Sequence, residues 1–248
     1  MKPLSWYRDL RDPRNRRQNG CFLVEGPRAI EQLHLCAPRE IVEILAAESF
    51  AGDAARFGCP VRSLSNRQFS SIVSAKTPQG IAAVVRIPEG TYGDCLPENP
   101  GSRLLLLEGI QDPGNVGTII RTASAFDFSG IALSSECADP FSPKAVQASA
   151  GSVLSVWLRQ SAGCLDLARN LQQRGFSLVA ATLTGTPVKD YRADGPLVIM
   201  LGSEGAGLSK ELLEVADMTV TIPINREKVE SLNVAVAGAI LMNRFGNI

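Results

Sequence analysis

From Leu104 onward, short uninterrupted apolar stretches alternate with segments of helical period. Leu104 to Leu107, Gly130 to Leu133, Val153 to Trp157, Ser177 to Ala181, Leu197 to Leu201 and Met218 to Ile222 read as strands. Val116 to Phe126, Pro143 to Ala150, Leu165 to Arg174, Ser209 to Val215 and Leu232 to Phe245 read as helices. A strand with no polar alternation is buried on both faces. A parallel sheet with helices on either side is the architecture that buries it. An α/β domain is therefore expected over residues 103–248. By itself this pattern gives an open, unknotted sheet.

The segment from Ile87 to Ser102 holds three prolines and three glycines in sixteen residues. Such composition breaks helix and strand alike, so a domain boundary is placed there. A smaller α/β unit over residues 1–90 precedes it. Cys21 to Glu25, Ile41 to Ala47 and Ile81 to Ile87 read as its strands, and Pro27 to Cys36 as a helix. Ser65 with Gln68 three residues on reads as a capping box opening another helix.

Several function classes are disfavoured. Apolar residues make up 45% of the 248, which indicates a folded chain with ample core. No apolar run approaches the ~20 residues that span a bilayer, and the start of the chain lacks a signal-peptide core. A soluble, cytoplasmic protein with no membrane partner is expected. The six cysteines are scattered without a Cys-x-x-Cys pair and the single histidine is His34. This argues against a zinc site, a disulfide framework and a cysteine nucleophile, and no metal is expected. His34 reads as a helix-surface residue. The net charge is zero, unlike most non-specific nucleic-acid binders. Yet Arg8, Arg11, Arg14, Arg16 and Arg17 crowd the first seventeen residues. They read either as a solvated arm or as a phosphate-contacting one.

Three polar or glycine-rich breaks beside apolar runs carry the candidate chemistry. The first runs from Asp112 to Thr122. Gly114 and Gly117 permit tight turning, Asn115 reads as a helix cap, and Arg121 offers a guanidinium fork suited to phosphate. The second, Gly202-Ser203-Glu204-Gly205-Ala206-Gly207, follows a buried strand. It matches neither a Rossmann loop nor a P-loop. The third joins Ile222-Pro223-Ile224 to Ser231-Leu232-Asn233, with Ser231 read as the cap of the last helix. Each admits a purely structural reading as cap, turn or solvated charge.

Taken together and in this order, the three segments resemble the motifs of the SpoU/TrmH family, RNA ribose 2′-O-methyltransferases of the SPOUT class. Phe22-Leu23-Val24-Glu25-Gly26 likewise resembles the N-terminal substrate-binding domain of many such enzymes. The resemblance implies a C-terminal parallel-sheet SPOUT domain with a deep trefoil knot, plus a small N-terminal α/β domain that binds RNA. It implies S-adenosylmethionine (SAM) as cofactor, contacted at Gly202, Ile222, Leu232 and Thr182. It implies an active site of Arg121, Asn115, Glu204, Ser231 and Asn233. The expected substrate is structured RNA, ribosomal RNA ahead of transfer RNA. A base-nitrogen methyltransferase and a non-catalytic RNA-binding homologue are the rival readings. Glycine, frequent in the family between the Ile-Pro and Ser-Leu-Asn elements, is replaced here by Asn225-Arg226-Glu227-Lys228. Finally, the last helix is apolar nearly all round. This predicts burial on more than one face and a homodimer paired through the C-terminal domain.

Overall fold

A computed structural model of the chain describes residues 2–246. In chain order, α1 (Leu4–Asp9), α2 (Pro13–Asn19), β1 (Cys21–Glu25), α3 (Pro27–Cys36), β2 (Ile41–Ala47), β3 (Val61–Leu64), α4 (Asn66–Ile72) and β4 (Ile81–Arg86) come first. After the Pro/Gly-rich stretch follow β5 (Arg103–Leu107), α5 (Pro113–Ala125), β6 (Gly130–Ser134), α6 (Pro143–Ser149), β7 (Trp157–Ser161), α7 (Cys164–Gln173) and β8 (Ser177–Pro187). Last come β9 (Leu197–Leu201), α8 (Lys210–Val215), β10 (Met218–Thr221) and α9 (Val234–Phe245).

Two compact units form, and they do not follow chain order. One holds the chain up to Glu89 together with Asp139–Ser155; the other holds Gly90–Ala138 and the chain from Val156 on. In the first unit four strands pair in the order β1-β4-β2-β3. Only β2 and β3 run parallel. Tyr7, Leu45, Leu64, Phe69, Ile72 and Val84 pack into a core on this sheet. Ser65 and Gln68 form the expected capping box at α4. The segment Asp139–Ser155 joins this core through side chains. Phe141 stacks at a tilt on Phe22 with ring centroids 4.6 Å apart, and α6 lies against β1.

The N-terminal arginines divide: Arg8, Arg11, Arg14 and Arg17 are exposed, and Arg16 is buried. Residues 4–19 form two short helices instead of an arm. Arg16 is 2% exposed. Its guanidinium donates to the carbonyls of Leu10 (2.9 Å) and Arg11 (2.7 Å) and pairs with Asp139 at 2.6 Å. Arg11 donates to the carbonyls of Ser71 and Val73. The sequence showed five arginines. It did not show that Arg11 meets carbonyls, and Arg16 a carboxylate, from distant parts of the chain. His34 also departs from the surface reading. It is half-buried, packed edge-on to Phe57 at 5.6 Å, with Nδ1 buried and unpartnered.

In the second unit six strands, all parallel, lie in the order β10-β8-β9-β5-β6-β7. The two central strands, β5 and β9, pair residue for residue from Arg103↔Leu197 to Leu107↔Leu201. Both are buried along their length apart from Arg103, as their unbroken apolar sequences predict. The strand expected at Val153 to Trp157 instead begins at Trp157, because residues 150–156 turn after α6. Helix α9 packs on α5 and β9 and buries Val234, Leu241, Met242 and Phe245. Its other face leaves Val236 49% and Ile240 39% exposed, so one chain alone covers only part of this helix. Among the described residues no helix is long and apolar enough to cross a membrane.

Removing one member of a buried ion pair strands the other charge, at a typical cost of ~3–5 kcal/mol. Arg16→Ala is therefore expected to lower unfolding stability by about 3 kcal/mol. Arg8→Ala, at an exposed pair, should stay within about 0.5 kcal/mol. Urea unfolding of both variants followed by circular dichroism checks this. Equal stabilities would show that the Arg16–Asp139 pair does not hold the segment in place.

Candidate active site

All three sequence breaks fall at the carboxyl ends of strands in the second unit. The Asp112–Thr122 segment follows β5, the Gly202–Gly207 loop follows β9, and the Ile222–Asn233 stretch follows β10. Because β5 and β9 are neighbours in register, the loops they feed begin side by side. The Glu108 amide donates to the carbonyl of Leu201 (2.9 Å), and the Glu108 carboxylate accepts from the Ser209 amide (2.7 Å). Glu108 thus fastens the far end of the glycine loop to the strand beside it.

The glycine loop is a small closed turn. Ser203 and Gly207 exchange backbone hydrogen bonds of 3.2 and 2.9 Å, and the Ser203 hydroxyl accepts from the Ala206 amide. Gly207 sits at φ +70°, and a Cβ on Gly202 would stand 2.1 Å from the Gly207 carbonyl carbon. Both positions therefore require glycine, one for its backbone angle and one for close approach. The turn holds Glu204 at its tip.

Glu204 gathers the three segments. Its Oε1 accepts from Asn233 Nδ2 (2.7 Å), Asn115 Nδ2 (3.2 Å) and the Val234 amide (3.4 Å). Asn233 Nδ2 also donates to Asn115 Oδ1 at 3.1 Å. Each amide side chain is thereby fixed in orientation by its neighbours. Asn233 has a second duty: its Oδ1 accepts from the Ala235 and Val236 amides and caps α9.

Two capping assignments change as a result. Asn233, not Ser231, caps the last helix. Asp112, not Asn115, caps α5 by accepting from Gly114 and Asn115 amides. The sequence carried a signal for the latter, since Pro113 at the first helical position puts the cap on the residue before it. Freed from capping, the Asn115 side chain is available to Glu204. Neither Glu108 nor the cap at Asp112 was expected.

Thr182, Gly202, Ile222 and Leu232 all line one cavity of about 620 Å³, with Glu204 and Ser231. Leu201, Leu208, Leu213, Val220 and Leu241 supply its apolar wall. The Thr182 hydroxyl donates to the carbonyl of Thr184. Asn115 and Asn233 join the group through Glu204 and do not line the cavity. Arg121 is exposed on α5, about 9 Å along the helix axis from Asn115, and has no ion pair or side-chain hydrogen bond among the described residues. Two thiols of this unit are buried. Burial pushes Cys137 up and Cys164 up to about 12, so neither ionises as a nucleophile requires.

Known proteins resemble this chain over most of its length. The model of the SpoU rRNA Methylase family matches residues 102–243. The chain belongs to the SpoU rRNA methylase family. The model of an MRM3-like substrate binding domain matches residues 6–83. The chain is 32% identical over 240 residues to the 23S rRNA (guanosine(2553)-2′-O)-methyltransferase RlmP of Bacillus subtilis (strain 168), spanning 95% of this chain and 92% of that one. Two solved structures share the fold. One is the SpoU methyltransferase AviRb from Streptomyces viridochromogenes in complex with S-adenosylmethionine, with a TM-score of 0.84 and 25% identity over 97% of this chain and 95% of that one. The other is an S-adenosylmethionine-bound rRNA methyltransferase from Sinorhizobium meliloti, with a TM-score of 0.81 and 30% identity over 97% and 92%.

The loop geometry makes a sharp prediction about its glycines. Gly202→Ala forces a Cβ into the Gly207 backbone and should cost about 2 kcal/mol of stability, in the range of overpacked sites. At Gly205 a Cβ meets nothing within 4 Å, so Gly205→Ala should stay within about 0.5 kcal/mol. Parallel urea titrations separate the two. A neutral Gly202→Ala would mean that the loop is loose.

Proposed function

We propose that this protein is a SAM-dependent methyltransferase that methylates a ribose 2′-hydroxyl in structured RNA, with ribosomal RNA as the substrate. The observation that carries the reading is the meeting of Asn115, Glu204 and Asn233 beside a cavity lined by Thr182, Gly202, Ile222 and Leu232. Family membership and relatives that bind S-adenosylmethionine or methylate 23S rRNA support it. So does the character of the site. The cavity has apolar walls suited to an adenine ring, and small residues at Gly202, Gly205 and Ala206 leave room for a ribose to approach. Thr182, Gly202, Ile222 and Leu232 would hold the cofactor. When bound, SAM would supply an electrophilic methyl group for the ribose 2′-oxygen.

The chain's own residues must then align the ribose and deal with charge. Asn115, Glu204 and Asn233 form a rigid polar floor, and Ser231 lies at the cavity edge. Arg121 has the part of binding the neighbouring phosphate and stabilising the developing alkoxide. A guanidinium holds its proton too tightly to serve as a good base, so its contribution is electrostatic. Arg121→Ala should therefore bind SAM normally and lose methyl transfer by ~10²-fold. Single-turnover methylation of ribosomal RNA measures this; near-normal turnover would remove Arg121 from the mechanism.

The matched substrate-binding domain supports RNA binding by residues 1–90, with methyl transfer by residues 103–248. The trefoil knot of the SPOUT class and a cytoplasmic location belong to the same reading. So does a homodimer. Val236 and Ile240 form an exposed apolar strip on α9, and exposed Arg121 on the neighbouring α5 could then act beside a second chain. A dimer of 26.5 kDa chains is expected in sedimentation at micromolar concentration. Ile240→Arg should shift it toward monomer, and a wild-type monomer would remove this pairing.

A further inference from the structure

Three charged side chains line the cofactor cavity: Glu204, Arg226 and Glu230. Glu204 is committed to Asn115, Asn233 and the start of α9. Arg226 and Glu230 are exposed, and among the described residues neither takes part in an ion pair or a side-chain hydrogen bond. Arg226 sits on the stretch where this chain departs from the family's glycine, and Glu230 follows it, next to Ser231. The turn that carries them supports itself. Asn225 Oδ1 accepts from the Glu227 amide at 3.0 Å. The Asn225 carbonyl accepts from the Lys228 and Val229 amides at 3.1 and 3.2 Å. The Arg226 and Glu230 side chains contribute to none of these bonds. Their presence on the cavity wall is thus not explained by folding of the turn.

The remainder of the lining is apolar side chain, small hydroxyl and backbone. A ligand in this cavity that carries a carboxylate has one guanidinium to meet, and one that carries an ammonium has Glu230. The amino-acid end of SAM carries both. A polyanion such as RNA would be attracted by Arg226 and repelled by Glu230. A zwitterion is complementary to the pair. We propose that Arg226 and Glu230 are a clamp for the amino-acid end of the cofactor. The Arg226 guanidinium donates to the carboxylate, and the Glu230 carboxylate accepts from the α-ammonium. Charge-assisted bonds of this kind are stronger than neutral ones, and arginine's fork matches a carboxylate. The clamp rests on the SAM reading of the cavity.

Two probes separate the clamp from that reading. S-adenosylhomocysteine has the amino-acid end; 5′-methylthioadenosine has the same adenosine and thioether without it. Titration calorimetry of both into the full-length protein and into Arg226→Ala, Arg226→Lys and Glu230→Gln is the experiment. Arg226→Ala is expected to weaken S-adenosylhomocysteine by ~10-fold and Glu230→Gln by ~3-fold, with Arg226→Lys in between. Methylthioadenosine should stay within about twofold throughout, because it presents nothing for the charges to hold. Equal losses for both probes would mean that the turn only shapes the cavity, and the clamp would be wrong. Unchanged S-adenosylhomocysteine affinity in Arg226→Ala would also overturn it. If RNA affinity fell instead, Arg226 would be assigned to phosphate. A wild-type protein that bound neither probe would overturn the cofactor reading itself, and the clamp with it.

Discussion

The register of β5 against β9 is the constraint on which the site depends. Five consecutive residue pairs align from Arg103↔Leu197 to Leu107↔Leu201, and a slip of one residue would turn every side chain to the opposite face. Both strands are covered on both faces: Leu104 to Leu107 and Leu197 to Leu201 are all at most 2% exposed. In this register the two strands end level. The segment that carries Asn115 and the loop that carries Glu204 then start from adjacent points. The bonds from Glu108 to Leu201 and Ser209 tie those starting points together. In open parallel sheets ligands bind outside the carboxyl ends of the strands, and the cavity lies at that end of β9 and β10, against Ala181 to Leu183 in the middle of β8.

Placed there, one carboxylate does the work of organisation. Glu204 accepts three hydrogen bonds, two of them from the asparagines of the other segments. An amide side chain can point either end at its surroundings. A carboxylate accepts only, so it fixes both asparagines with their Nδ2 groups inward. Asn233 is fixed further because its oxygen is occupied by the cap of α9. The helix that packs on α5 and β9 is therefore started by a residue of the site itself. Changes at the site and changes in that helix are physically linked.

The first unit follows a different logic. Its core is closed by a charged residue. Arg16 brings a guanidinium into a buried position where Leu10, Arg11 and Asp139 satisfy it. Asp139 comes from far along the chain, and the segment it begins lays Phe141 on Phe22 and α6 on β1. A chain cut at residue 90 would strip these partners from Asp139–Ser155. The boundary that is plain in composition at 87–102 does contain a seam, between Glu89 and Gly90, but the first unit also takes in Asp139–Ser155.

The sequence by itself determined the elements and their class. Apolar runs such as Leu104–Leu107 and Leu197–Leu201 can be satisfied only as strands covered on both faces, and local pattern suffices to show it. Ser65 with Gln68 was likewise legible, because a capping box closes within four residues. The wording of three loops was enough to indicate the family. Only the tertiary structure decided what joins what. Strand order placed Glu204 against Asn115, 89 residues away, and Asn233 against Asn115, 118 residues away. It gave the helix caps to Asp112 and Asn233 and not to Asn115 and Ser231, and it turned Arg16 from a presumed surface charge into the buried partner of Asp139. Periodicity reports which face of an element is apolar. It carries no information on which distant polar group will meet a given donor, because that depends on how the strands are ordered in space.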